Sequence, residues 1–426
     1  MDSASPISSI GPTAPAERID SLDILRGFAL FGILWANLPG GGGLSPLDAI
    51  SDRMEAFLVR GKFFTIFTFA FGVSFSLQFD RAAKQGRSHV TYYLRRLCFL
   101  FLIGVCHCVF VWDGDILRSY ALFGAYLVAM HRVPQKAILA LALCLYSMVL
   151  IGGEISLTRR ISRETSAAQS ARIDPTRLRE RRQRMIAEEA QSYATISYQQ
   201  LVHNRWGEVR ESLGRGRTYF PDSSFVLFLL GLWAGRCGVF RDSCSHRRLL
   251  RRVVLWGFPV GLTLYFGGEF QRYLLYAGHI TWLNGSPLRV GADIGQMAQG
   301  LAYVAVILLL LETKRWYPRL NPLRWAGRMA LTNYLMQSLV FTVAAYGYGL
   351  GLYPMLTGSI RLLYAVLFFT AQALLSRWWL TRFRFGPAEW LWRSLTYWNL
   401  QPWRVSIVGH VLSLIHISEP TRQAEI

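Results

Sequence analysis

The chain has 426 residues, of which 52% are hydrophobic and 17% charged, and its 46 Lys and Arg outnumber its 26 Asp and Glu to leave a net charge of +20. Soluble domains carry about 25% charged residues, and here the apolar residues fall in long blocks with the arginines between them. This pattern excludes disorder, a disulfide-stapled miniprotein and a soluble nucleic-acid binder, so no nucleic-acid partner is expected. An all-α polytopic membrane bundle remains, with the lipid bilayer as its first partner.

Residues 1–17 are rich in Ser, Pro and Ala and read as a disordered cytoplasmic tail. A bilayer core takes about 20 mainly apolar residues per helix, because lipid cannot hydrogen-bond an exposed backbone. Ten blocks qualify, at 22–38, 61–79, 94–112, 115–130, 133–153, 223–240, 251–268, 291–311, 328–346 and 360–380. The fourth is short and carries Arg118. Short cytoplasmic loops collect Lys and Arg, and every second connection does so: Arg81, Lys84 and Arg87 after the second block, Arg132 and Lys136 after the fourth, Arg241, Arg247 and Arg248 after the sixth. Lys314, Arg315 and Arg319 follow the eighth block, and Arg382, Arg384 and Arg393 the tenth. Both termini are therefore expected in the cytoplasm, with five spans in 18–153 and five in 223–404. The connection 154–222 between these halves is basic yet external, which a loop this long tolerates. Its centre, 174–203, reads as one helix with Asp174 as cap and Pro175 in the first turn, either lying on the membrane or capping the bundle. Residues 405–426 read as a tail, and 413–426 resembles peptide translated from sequencing-adapter DNA.

Ionisable groups inside membrane helices are costly unless paired or solvated, so each is a candidate. In the first block Asp23 and Arg26 share a face, and Asn37 closes the helix before Pro39 and the glycine run 40–43. In the third, His107 sits in the outer half, followed by Asp113 and Asp115 in a tight turn. Such a histidine can take a proton from a hydroxyl or amine while an aspartate orients the ring, provided that the imidazole opens onto a water-accessible chamber. The alternative is a histidine hydrogen-bonded inside the bundle beside two turn-forming aspartates. Cys106, His107 and Cys108 diverge by about 100° per residue on a helix and cannot converge on one ion, so no metal is expected. In the eighth block Asp293, Gln296, Gln299 and Tyr303 form an inward polar stripe, with Glu269 and His279 in the outer loop before it. In the ninth, Arg328, Asn333 and Gln337 enter from the cytoplasm.

Three stretches resemble the YeiB-like family of bacterial membrane proteins, long catalogued as a domain of unknown function: RIDSLDILRGFALFGILWAN (18–37), RRLCFLFLIGVCHCVFVWDGDILRSYAL (95–122), and the pair GRMALTNYLMQS (327–338) with FGPAEWLWRSLTYW (385–398). The LDxLRG opening is also similar to that of transmembrane acyltransferases of the heparan-α-glucosaminide N-acetyltransferase type. Those proteins carry an acyl group from cytosolic acyl-CoA to a sugar on the far side. This likeness implies that Asp23, Arg26, Arg95, Arg96, Arg328, Asn333 and Gln337 receive the donor and that His107 is base or acyl relay. Those relatives carry their reactive histidine after the first helix, where 38–62 has none, so the likeness extends to the fold rather than to that residue.

The expected function is acyl transfer to an extracytoplasmic hydroxyl or amine on a glycan or lipid, with His107 as base, Asp113 or Asp115 orienting it, and Asn37, Glu269, Asp293, Gln296 and Gln299 positioning the acceptor. Acyl-CoA is then a donor substrate, and no resident cofactor is expected. A secondary transporter or efflux component, with His107 as proton carrier and Asp293 as coupling group, is the main rival. A non-catalytic partner or sensor built on the 154–222 loop is the third reading.

Overall fold

The computed structural model of the chain describes residues 18–40, 45–84, 90–168, 175–215, 223–276 and 286–405. The expected tail over 1–17, Gly41, Gly42 and Gly43 of the glycine run, Asp174, His279 and the adapter-like 413–426 lie outside them. Among the described residues there is no β-strand, and Phe383 and Arg404 form one isolated antiparallel bridge.

All ten apolar blocks are helical. They form α1 (Asp20–Asn37), α3 (Lys62–Lys84), α4 (Val90–Phe110), α5 (Leu117–Met130), α6 (Gln135–Ala168), α9 (Ser223–Arg236), α10 (Arg247–Tyr276), α11 (Ser286–Leu311), α14 (Ala330–Ala345) and α15 (Gly358–Arg382). Connecting helices are α2 (Pro46–Met54), which a π turn continues through Glu55–Val59, then α7 (Pro175–Thr195), α8 (Tyr198–Arg215), α12 (Tyr317–Leu320), α13 (Leu323–Arg328) and α16 (Pro387–Tyr397). Among the described residues five segments are long and apolar enough to cross a membrane: Pro46–Asp80, Val90–Phe110, Arg247–Phe270, Asp293–Leu311 and Gly358–Arg382. Leu117–Met130, Gln135–Ile151, Ser224–Arg236 and Ala330–Ala345 are shorter and apolar, while α1 carries Asp20, Asp23 and Arg26.

Two expectations about the long connection change. The fifth-block helix does not stop at residue 153: α6 continues to Ala168, because nothing between them breaks a helix. The single helix expected over 174–203 is two, α7 and α8, separated at Ile196 and Ser197, where the Ser197 hydroxyl accepts the Gln200 N–H at 3.3 Å as a new N-cap.

The core forms around α1, whose Ile24, Leu25, Ala29 and Leu30 are fully buried. Helices here approach through small residues, as they must where lipid offers no hydrophobic drive for association. A Cβ on Gly72 of α3 would lie 2.2 Å from the Phe228 carbonyl of α9, and one on Gly231 of α9 would lie 2.2 Å from the Phe69 carbonyl of α3. The outer surface is apolar: Leu255, Trp256, Phe266 and Phe270 of α10 and Leu363, Leu367 and Leu374 of α15 face outward. An exposed belt of that size is a lipid-facing surface.

The bundle has two unlike ends. At one, α7 and α8 form a cap: the Tyr198 hydroxyl donates to the Phe110 carbonyl at 3.1 Å, the Gly347 N–H to the Tyr193 carbonyl at 2.9 Å, and the Tyr193 ring stacks on Tyr346 and Tyr353. At the other, arginine-rich end, α16 docks under α4 and α14. Glu389 accepts the Leu331 N–H at 2.7 Å and the Thr332 N–H at 3.2 Å, capping α14 from outside its own chain segment.

Candidate functional site

At the capped end α4 closes with both Val111 and Trp112 N–H groups bonded to the His107 carbonyl, and the turn that follows brings Asp115 back beneath the helix. His107 Nδ1 lies 2.8 Å from Asp115 Oδ2. The other carboxylate oxygen, Oδ1, accepts the Arg118 N–H at 3.0 Å at the start of α5 and sits 3.5 Å from Arg118 Nε. Gly104, one turn before His107, leaves room for this group: a Cβ there would meet Asp115 Oδ1 at 2.9 Å. The Tyr334 ring of α14 tilts against the imidazole, centroids 5.2 Å apart, and its hydroxyl accepts the Ile116 N–H at 3.3 Å. Together these bonds define the chemistry. In the neutral ring a carboxylate on Nδ1 keeps the proton on that nitrogen and puts the lone pair on Nε2, which is buried and has no hydrogen-bond partner among the described residues.

Between the two aspartates the choice is Asp115. Asp113 points to solvent and lies 3.9 Å from Arg205 Nη2 of α8, away from the ring. The expected open chamber is also corrected: the imidazole is 1% exposed and the Asp115 carboxylate fully enclosed, because α8 and α14 roof the end of α4.

The arginine-rich end holds the second cluster. Arg26 donates to Asp23 at 3.0 Å and to the Ser74 hydroxyl of α3. The Gln78 side chain, one turn on, donates to the Ser74 carbonyl at 3.1 Å and accepts from Arg96 Nη1 at 2.7 Å. Arg96 lies flat on Trp392 of α16, 4.2 Å from its ring centre. Arg26 and Arg96 are thus brought together, bridged by Ser74 and Gln78. Arg18, Arg328, Arg384 and Arg393 crowd the same space: burial and repulsion from Arg328 lower the Arg18 guanidinium, burial lowers that of Arg328, and burial with Arg96 and Arg18 pulls Arg393 down to about 10. Asp20 and Asp23 offset this charge without balancing it. Arg95 faces elsewhere, donating to the Thr396 carbonyl at 3.3 Å and covering Trp398.

Asn333 and Gln337 join a helix-to-helix ladder. Asn333 Nδ2 donates to the Ala326 carbonyl and the Ser376 hydroxyl, both at 3.0 Å, Gln337 donates to Gln372 at 2.8 Å, and Gln372 donates to the Asn333 carbonyl at 3.0 Å. Their amides hold α14 to α15.

The α11 stripe divides. Asp293 and Gln296 line a cavity of about 130 Å³ with Thr65 and Tyr146, whereas Gln299 is buried against Gly261 of α10 and Tyr303 donates to the Leu58 carbonyl at 3.2 Å. Glu269, on α10, and Asn37, at the end of α1, are half-buried and do not line that cavity. Sequence reasoning missed an ionic network beside it, in which Glu55, Lys62 and Arg361 are buried: Glu55 with Arg60 at 2.8 Å, Asp52 with Arg361 at 2.6 Å, and Lys62 donating to the Ala56 carbonyl at 3.0 Å. Its available signal was the spacing of Asp48, Asp52 and Glu55, which puts three carboxylates on one helical face.

The family model described as Protein of unknown function (DUF418) matches residues 234–399. The uncharacterized protein YxaH of Bacillus subtilis is 32% identical over 93% of this chain and 98% of its own length. An uncharacterized 39.9 kDa protein in the amylase 3' region of Bacillus acidopullulyticus is 28% identical over 91% and 96%, and the uncharacterized protein YeiB of Escherichia coli 25% over 89% and 96%. No solved structure matches the chain. The apolar helices and these bacterial relatives together describe a bacterial membrane protein.

Proposed function

The chain belongs to the family described as Protein of unknown function (DUF418), and on that premise we propose that it is a multi-pass inner-membrane protein that transfers an acyl group from cytosolic acyl-CoA to a hydroxyl or amine outside the cytoplasm. In this reading all ten apolar helices span, the arginine-rich end is cytoplasmic and the α7–α8 cap is external. The observation that carries it is the buried His107–Asp115 pair with its partnerless Nε2. An imidazole held by a carboxylate on one nitrogen and free on the other is the arrangement that general-base and acyl-relay chemistry requires. Arg26, Arg96, Arg328 and Arg393 supply the cationic surface that the donor's phosphates need. Arg96 and His107 are eleven residues apart on α4, which puts them on the same face about 16 Å apart along the axis, a span that a pantetheine arm can bridge.

His107 Nε2 takes the proton as the acceptor oxygen or nitrogen bonds to the thioester carbonyl carbon. The C–S bond breaks, and the CoA thiolate leaves and is protonated. Because the ring is enclosed, acceptor access requires the cap to shift, as lids over water-excluded sites do.

The test is release of free CoA from acyl-CoA by purified protein. We expect His107→Ala to slow it by about 10²–10⁴-fold in protein that still folds but melts lower, because the buried Asp115 carboxylate loses a partner, and Asp115→Asn to slow it without affecting the KM for acyl-CoA. Undiminished release by His107→Ala removes the proposal. The transporter reading draws on the cavity beside Asp293 and Gln296. It gains if sealed vesicles move a solute without acyl donor and Asp293→Asn stops the flux.

A further inference from the structure

Helix α8 meets α4 through Val202 and Val209, which pack with Val105, Cys108 and Val109. Arg205 stands three residues after one valine and four before the other, so it occupies the same apolar face. It is 3% exposed. Its Nη1 donates to the Val111 carbonyl at 2.9 Å, in the turn that carries the His107–Asp115 pair, and its guanidinium lies 5.7 Å from the Tyr346 ring centre. Nε and Nη2 have no hydrogen-bond partner. The carboxylate within ion-pair range, Asp113, stays 3.9 Å from Nη2, beyond hydrogen-bond reach, and is 43% exposed to solvent.

A buried guanidinium with two donors unmade is unfavourable and requires an explanation. These two donors are not an arbitrary pair. They form the parallel edge of the fork, the edge that clamps a carboxylate or phosphate with two bonds. His107 Nε2 is partnerless at the same end of α4, so the unpaired polar groups of the capped end include both a lone pair for a base and a cationic clamp.

We propose that Arg205 is an anion-binding residue of the capped end, clamping a phosphate or carboxylate of the ligand through Nε and Nη2, with Asp113 as the competing counter-ion on the solvent side. Calling that ligand the acyl acceptor rests on the function proposed above; the anion site itself does not. The ligand is then an anionic lipid headgroup or a soluble acidic or phosphorylated sugar.

The experiment uses the full-length protein in phosphatidylcholine nanodiscs, with thermal melting and calorimetric titration of glycerol 3-phosphate and glucuronate against neutral glycerol and glucose. A parallel arm replaces part of the phosphatidylcholine with phosphatidylglycerol. An anionic probe should stabilise the wild type where its neutral counterpart does not. Arg205→Lys keeps the charge and loses the fork, and should weaken binding by about tenfold or more. Asp113→Asn removes the competitor and should tighten it. Response to the soluble probes alone identifies a sugar, and response to phosphatidylglycerol alone a lipid. Equal response to anionic and neutral probes, unchanged binding by Arg205→Lys, or weaker binding by Asp113→Asn overturns the proposal. Anion binding without CoA release sinks the acyl-transfer reading and spares the site, whereas CoA release without anion binding does the reverse.

Discussion

Gly104 leaves little room for change beside the dyad. A methyl there would reach within 2.7 Å of the Arg118 nitrogen and 2.9 Å of Asp115 Oδ1, and neither the backbone nor a doubly bonded carboxylate can yield cheaply. Gly104→Ala should therefore push Asp115 off His107 and lower CoA release by about 10²-fold, since displacements near 1 Å cost that much. A control at Gly207, where an added Cβ meets nothing within 4 Å, should leave turnover unchanged. His107 was legible in the sequence because an ionisable group stands out in an apolar helix. The choice between Asp113 and Asp115 was not, because a turn has no period to say which side chain folds back. Arg205 was invisible for a related reason: in a basic loop one arginine looks like the rest until α8 lays it against α4.

Helix α14 starts without a cap of its own, and Glu389 supplies one from α16. Removing it leaves the Leu331 and Thr332 N–H groups unmet, so Glu389→Ala should destabilise the protein by about 1–3 kcal/mol. Melting in detergent measures this, and Glu389→Gln, which keeps an acceptor, should lose less. The apolar helices were legible because block length and composition decide them. The extent of α6 and the break between α7 and α8 were not. Residues 154–168 change from apolar to charged without a helix breaker, and at Ile196-Ser197 the chain turns where Ser197 caps α8 and Tyr193 of α7 stacks on Tyr346 and Tyr353. Asn333 and Gln337 carry a similar lesson: polar residues inside a membrane helix can bind a neighbouring helix, and spacing along one strand of sequence does not reveal the partner.

For the whole molecule, the charge asymmetry makes a topological prediction. Leu350, beside the cap, and Leu400, beyond α16, are both well exposed. A thiol reagent that cannot cross the membrane should label Leu350→Cys in intact cells and Leu400→Cys only after permeabilisation; the reverse would invert the orientation and separate the arginine cluster from any cytosolic donor. The proposed reaction is two-sided, with donor bound among Arg26, Arg96, Arg328 and Arg393 and the proton taken at His107. Sided proteoliposomes test this most directly, with labelled acyl-CoA supplied only at the arginine-rich face. Labelled acyl product should collect in the opposite compartment with wild-type protein and not with His107→Ala. Product on the donor side, or equal product from the two proteins, would contradict it.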